Sequence, residues 1–208
     1  MDPCEKANEM NENDSLIARV GKIFAGVYYR PQSKENGWIA NGVSIHTPNK
    51  QTQGSIKYDW SAVKPNSVTE WYHSHPGGGP IPSFADLEML ALKYNQGYID
   101  IDNFTYGIIS DFGCTSLVIV SEEAFQSFVE RLQNDKEAIM GNFNDLVDAG
   151  TPGGVEEKIS NYIKFLQQSV SGLQLIFNKY SEITQKWEGW KARTVDSGGQ
   201  LENLDCNK

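Results

Sequence analysis

The 208-residue chain has only three histidines, His46, His73 and His75, and only three cysteines, Cys4, Cys114 and Cys206. Cysteines so few, odd in number and far apart suggest neither a disulfide framework nor a cysteine zinc site. Cys114 lies in an apolar strand pattern and Cys4 and Cys206 in polar ends, so all three read as incidental thiols. A thiol mechanism would also need a histidine base beside its nucleophile, and two of the histidines have another claim on them. Basic residues are in deficit, with 18 Lys and Arg against 27 Asp and Glu and a formal net charge of -9. Such a balance repels phosphate backbones and anionic lipid, so neither nucleic acid nor membrane is an expected partner. No apolar run approaches the roughly 20 residues of a membrane helix. The opening MDPCEKANEMNEND has no hydrophobic signal core, so a cytoplasmic chain, or a module delivered without a cleaved signal peptide, is expected.

What is present is enough for a packed fold: 39% hydrophobic and 11% aromatic residues. Residues 1–13 read as a polar terminus. Leu16, Val20, Ile23, Phe24 and Val27 then recur at helical spacing behind an Asp14 or Ser15 cap, and Pro31 ends that helix. The stretch 35–47 predicts two short strands around Asn41-Gly42, with Glu35 on the first. A further strand is expected near Gly54–Tyr58. Val68–His75 is a β-favouring run that leads into the loop Pro76–Pro80, Ser83–Asn95 is a helix, and Asn103–Ser110 and Cys114–Val120 pair as a hairpin. These elements make an α+β core over residues 14–120.

Beyond Ser121 the pattern turns helical. Phe125, Val129, Leu132, Ile139, Phe143 and Leu146 fall at heptad-like spacing interrupted at Lys136, and residues 149–154 break the run. Ile159, Ile163, Leu166, Val170, Leu173, Phe177, Tyr180 and Trp187 then alternate by threes and fours. Residues 121–190 thus predict a C-terminal antiparallel helical hairpin, which either packs on itself or forms a coiled-coil homodimer, and 191–208 read as a flexible tail.

The chemistry concentrates in residues 73–86, HSHPGGGPIPSFAD. His73 and His75 stand two apart at a strand end, which puts both imidazoles on one face. A carboxylate from the following helix, Asp86, completes three protein ligands, the number expected of a catalytic zinc with one position left for water. Ser83-x-x-Asp86 also reads as a helix-capping box, which accounts for the helix start but not for the histidines.

His73-x-His75-Pro76, the seven residues 76–82, then Ser83-x-x-Asp86, resembles the JAMM motif of MPN-plus (JAB-type) metallopeptidases. That resemblance, which covers about residues 30–120, implies a sheet flanked by helices with the motif at a strand-to-helix junction. It also implies Zn2+ held by His73, His75 and Asp86, a serine, Ser83, that stabilises the reacting oxygen, and an upstream glutamate that acts through a metal-activated water. Glu35-Asn-Gly37 resembles the family's setting for that glutamate. Glu70, three residues before His73 on the same strand, falls on the opposite face, and Glu5, Glu9 and Glu12 lie in the polar terminus. The expected activity is a zinc-dependent hydrolase that cleaves a peptide or isopeptide bond in a protein or peptide substrate. The alternative is a catalytically silent MPN-type scaffold, or an interaction protein that uses the C-terminal helices.

Overall fold

The computed structural model describes residues 1–30, 33–42, 44–52, 54–148 and 154–206. Pro31 and most of the expected break at 149–154 lie outside those residues. Two helices open the chain. α1 (Pro3–Glu12) starts at Asp2, whose carboxylate accepts from the amides of Cys4 and Glu5, and α2 (Asp14–Tyr29) starts at Asn13, whose side chain accepts from Leu16. The stretch read as a polar terminus, 1–13, is therefore mostly helix. α1 buries only Ala7 and Met10, too few apolar residues to show a period.

β1 (Gly37–Asn41) and β2 (Ser44–His46) form the expected hairpin, with Gly42 at φ +66. Glu35 precedes β1 instead of lying on it. β3 (Lys50–Thr52) and β4 (Ser55–Lys57) make a separate two-stranded sheet. β5 (Glu70–Ser74), α3 (Phe84–Asn95) and β6 (Thr105–Ser110) follow, and β7 (Gly113–Ile119) turns back along β6. Next come α4 (Glu122–Asn134), α5 (Lys136–Phe143), α6 (Val155–Gln168), β8 (Leu173–Ser181), β9 (Lys186–Val195) and β10 (Leu201–Asn203).

Eight strands join in the order β10-β9-β8-β7-β6-β5-β1-β2. Every named pair is antiparallel except β5 with β6, which α3 connects as a parallel crossover. Helices cover both faces. Leu16, Val20 and Phe24 of α2 pack with Trp38, Tyr72, Ile109 and Ile176 on one side, whereas α3 to α6 pack with Trp71, Tyr106, Ile108 and Leu175 on the other. The chain is thus a mixed α+β structure with a large, mostly antiparallel sheet flanked by helices. Among the described residues no helix is long and apolar enough to cross a membrane.

The C-terminal helical hairpin needs correction. Its first arm and α6 are helical, but their apolar residues are turned onto the sheet. The second arm stops at Gln168. Val170 takes φ +45 and Gly172 φ +67, and a Cβ on Gly172 would lie 2.5 Å from both the Phe125 amide nitrogen and the Ser121 carbonyl oxygen. From Leu173 the chain is β8, buried on both faces, so Leu173, Leu175, Ile176 and Phe177 are all core residues. Nearly continuous apolar sequence satisfies helical spacing as readily as strand spacing. The flexible tail is corrected as well: Lys191–Val195 belong to β9, and β10 pairs Leu201 with Val195. Cys4 and Cys206 are not incidental thiols but form a disulfide across a separation of 202 residues, while Cys114 is a buried free thiol.

Candidate metal centre

Alternation along β5 sorts the candidate residues by face. Trp71 and His73 point towards α3. Glu70 and Tyr72 point towards α2, where Glu70 accepts hydrogen bonds from Arg19 Nη2 at 2.6 and 2.8 Å and from Trp38 Nε1 at 2.8 Å. Glu70 is therefore committed to a structural ion pair. His46 is also placed elsewhere, on β2, with Nε2 3.1 Å from Asn41 Oδ1.

His75 lies one residue past β5, and its amide still donates to Ile109 of β6 at 2.9 Å, so the extended path continues to the second imidazole. The chain then turns: Gly78 donates to the His75 carbonyl at 3.0 Å, Gly77 takes φ +67, and Thr115 of β7 donates to the Pro80 carbonyl at 2.5 Å. This loop delivers Ser83 as the cap of α3. The Ser83 amide and hydroxyl donate to Asp86 Oδ2 at 2.8 and 2.7 Å, and the Asp86 amide donates to Ser83 Oγ at 3.2 Å. The capping box thus forms, and it aims Asp86 back at the strand end.

Three potential ligand atoms converge there. His73 Nε2 lies 3.0 Å from His75 Nε2 and 3.2 Å from Asp86 Oδ1, and His75 Nε2 lies 3.3 Å from Asp86 Oδ2. These ligand atoms all lie within 4.8 Å of one another. Two imidazole nitrogens and a carboxylate directed at one point are three acceptors unless a proton or a cation sits among them. Ligands of tetrahedral zinc, with bonds near 2.0–2.1 Å, stand roughly 3.3 Å apart, so the separations fit such an ion.

Electrostatics agree with that geometry. Burial alone would raise the Asp86 pKa, but hydrogen bonds and charge from His73 and His75 hold it far below the carboxylate range. Burial lowers the His73 pKa. For His75 burial acts in the same sense but is outweighed by the hydrogen bond and charge of Asp86 and by the charge of Glu35, so its pKa is raised. Glu35 opens onto the same cleft, with its amide held by the Thr52 carbonyl of β3 at 2.9 Å. Burial, opposed by His75 and reinforced by Asp86, pushes its pKa up to about 7. Gly37, two residues on, is required by close approach: a Cβ there would lie 2.1 Å from the Tyr72 carbonyl oxygen and 2.8 Å from His73 Cα.

All five residues singled out from the sequence, Glu35, His73, His75, Ser83 and Asp86, line one cleft of about 430 Å³. The sequence reading missed Trp71, Tyr106 and Met89, which also line it. Tyr106 could have been found from the β5-α3-β6 order, because a parallel pair sets it beside Trp71. The site lies at the carboxyl end of β5, where parallel strand-helix-strand units place ligands. No family model, no curated protein and no solved structure matches the chain.

Proposed function

We propose that the chain is a zinc-dependent hydrolase that cleaves a peptide or isopeptide bond. The observation that carries this reading is the convergence of His73, His75 and Asp86 at ligand spacing, with a protonatable Glu35 on the same cleft. His73, His75 and Asp86 would hold the ion. Bound zinc would supply a Lewis acid that polarises the scissile carbonyl and acidifies water at neutral pH. Glu35, on the same cleft, takes a proton from the attacking water and delivers it to the departing amine. Ser83 donates its hydroxyl to Asp86 at rest, and its amide donates to the same oxygen. The hydroxyl can therefore turn to the developing oxyanion while the amide keeps Asp86 in place. The cleft runs between Gly54, Ser55 and Ile56 of the small hairpin and Ala85 and Met89 of α3, and Gly78 on its rim leaves room for a substrate main chain.

Elemental analysis of wild type, His73→Ala and Asp86→Ala under identical handling tests the proposal. The expected result is about one zinc per wild-type chain, lost in both variants. A peptidase and isopeptidase screen should then find activity that falls roughly 10²–10⁴-fold in Glu35→Gln. Wild type that neither carries nor takes up zinc sinks the reading. Zinc uptake without turnover of any substrate leaves a metal-binding scaffold.

A further inference from the structure

We infer that the apolar groove between α3 and the α4–α5 junction is a substrate subsite, which seats a large aliphatic side chain of an extended chain whose scissile bond lies in the metal cleft; the inference rests on the hydrolase reading of that cleft. α3 turns Leu87, Leu90 and Ala91 into the core, but its opposite face is not wholly polar. Ala85, Met89 and Leu92, spaced four and then three apart, form one stripe there, and Met89 and Leu92 are 42% and 43% exposed. The stripe starts beside Asp86 and runs along the helix away from the metal ligands.

Two openings share this stripe. Ala85 and Met89 line the cleft of His73, His75 and Asp86, and the same two residues, now with Leu92, line a neighbouring groove of about 540 Å³. Leu132 of α4 and Ala91, both buried, make its floor. The charges on its rim, Glu88 and Lys136, neutralise each other at 2.6 Å, so the groove offers apolar area and no net charge that would select an ionic group. Methionine is unbranched and polarizable, so Met89 can follow aliphatic side chains of different shape. Single exposed apolar residues are ordinary on a protein surface, whereas a grooved stripe continuous with a candidate metal centre marks a place for a ligand. Spacing sets the substrate position. A helix rises 1.5 Å per residue, which puts Met89 and Leu92 about 4.5 and 9 Å along α3 from Asp86. An extended chain advances roughly 3.3 Å per residue, so the seated side chain stands about two to three positions from the scissile bond.

The test selects a random linear-peptide phage library on the full chain carrying Glu35→Gln and loaded with zinc, then measures the selected peptides, made synthetically, by fluorescence anisotropy. They should share a Leu, Ile or Met. Leu92→Asp on the same background should weaken their binding roughly 10–200-fold. Leu92→Met should retain it, and so should Ile183→Asp, at an apolar residue 98% exposed in the β8–β9 turn. With Glu35 restored, Leu92→Asp should lower kcat/KM for the same peptides chiefly through KM. Far-UV circular dichroism and zinc content should match wild type, because Leu92 is half-exposed and lines the groove without lining the metal cleft. A selection that enriches no shared aliphatic residue, or equal affinity in Leu92→Asp, overturns the inference, and zinc uptake with turnover by wild type then keeps the hydrolase reading. A wild-type dimer in light scattering that Leu92→Asp makes monomeric assigns the groove to a second copy and overturns the inference too. Wild type that takes up no zinc sinks the hydrolase reading and this inference with it.

Discussion

A carboxyl half-sunk near the His75 imidazole and a second carboxylate changes charge near neutrality, and for Glu35 burial is the largest cause. Its pKa is higher in the fold than in the unfolded chain. Its stabilising contribution is therefore complete below the ordinary value of 4.5 and is lost as the pH rises through about 7. With a chelator present, the melting temperature of wild type minus that of Glu35→Gln should fall across this window. A difference that stays flat would mean that the carboxyl is not held out of water. The same residue illustrates what could be read from sequence. His73 and His75 stood out because imidazoles are scarce in this chain and period-two spacing puts them on one face. Glu35 followed from the glycine two residues later, a glycine that the close approach of Tyr72 and His73 demands. Tyr106 stayed hidden because a buried strand tyrosine looks like any core aromatic until its neighbour strand is known.

Among elements, the turn into α3 carries two roles on one side chain. Ser83 caps the helix and faces the cleft, so Ser83→Ala should lower stability by about 0.5–2 kcal/mol. It should also slow the reaction roughly 10²–10³-fold if the hydroxyl serves the oxyanion. Ser83→Thr keeps the hydroxyl and should recover the stability. Thermal melts alongside kinetics separate the roles: lost stability with unchanged turnover would leave only the cap. The hairpins β1–β2 and β6–β7 and helices α2 and α3 were legible because turn residues and periodicity agreed on them. β8 was not, since a strand buried on both faces loses the alternation that distinguishes it. Gly172 was the one local signal against a continuous helix, and its φ of +67 is visible only in the fold.

At the scale of the whole molecule, the two ends of the sequence are drawn onto the same edge region of the sheet. α1 lies along β9, where Asn11 both donates to the Trp190 carbonyl at 3.0 Å and accepts from its amide at 2.7 Å, and the Cys4–Cys206 bond fastens the arrangement. No spacing rule connects cysteines 202 residues apart, which is why this closure could not be read from the sequence. In the chain-entropy picture a loop of this length contributes up to about 5 kcal/mol. Reduction, or Cys4→Ser, should therefore lower the melting temperature by as much as roughly 10–20 °C. It should leave zinc content unchanged, because the metal ligands lie on β5, the loop after it and α3. Scanning calorimetry with and without reductant reads the first quantity and elemental analysis the second. Topologically, residues 4–206 of the oxidised protein are a closed ring. One proteolytic cut in any exposed loop opens that ring without dividing it, so a nicked molecule remains a single covalent species until the sulfur bridge is reduced.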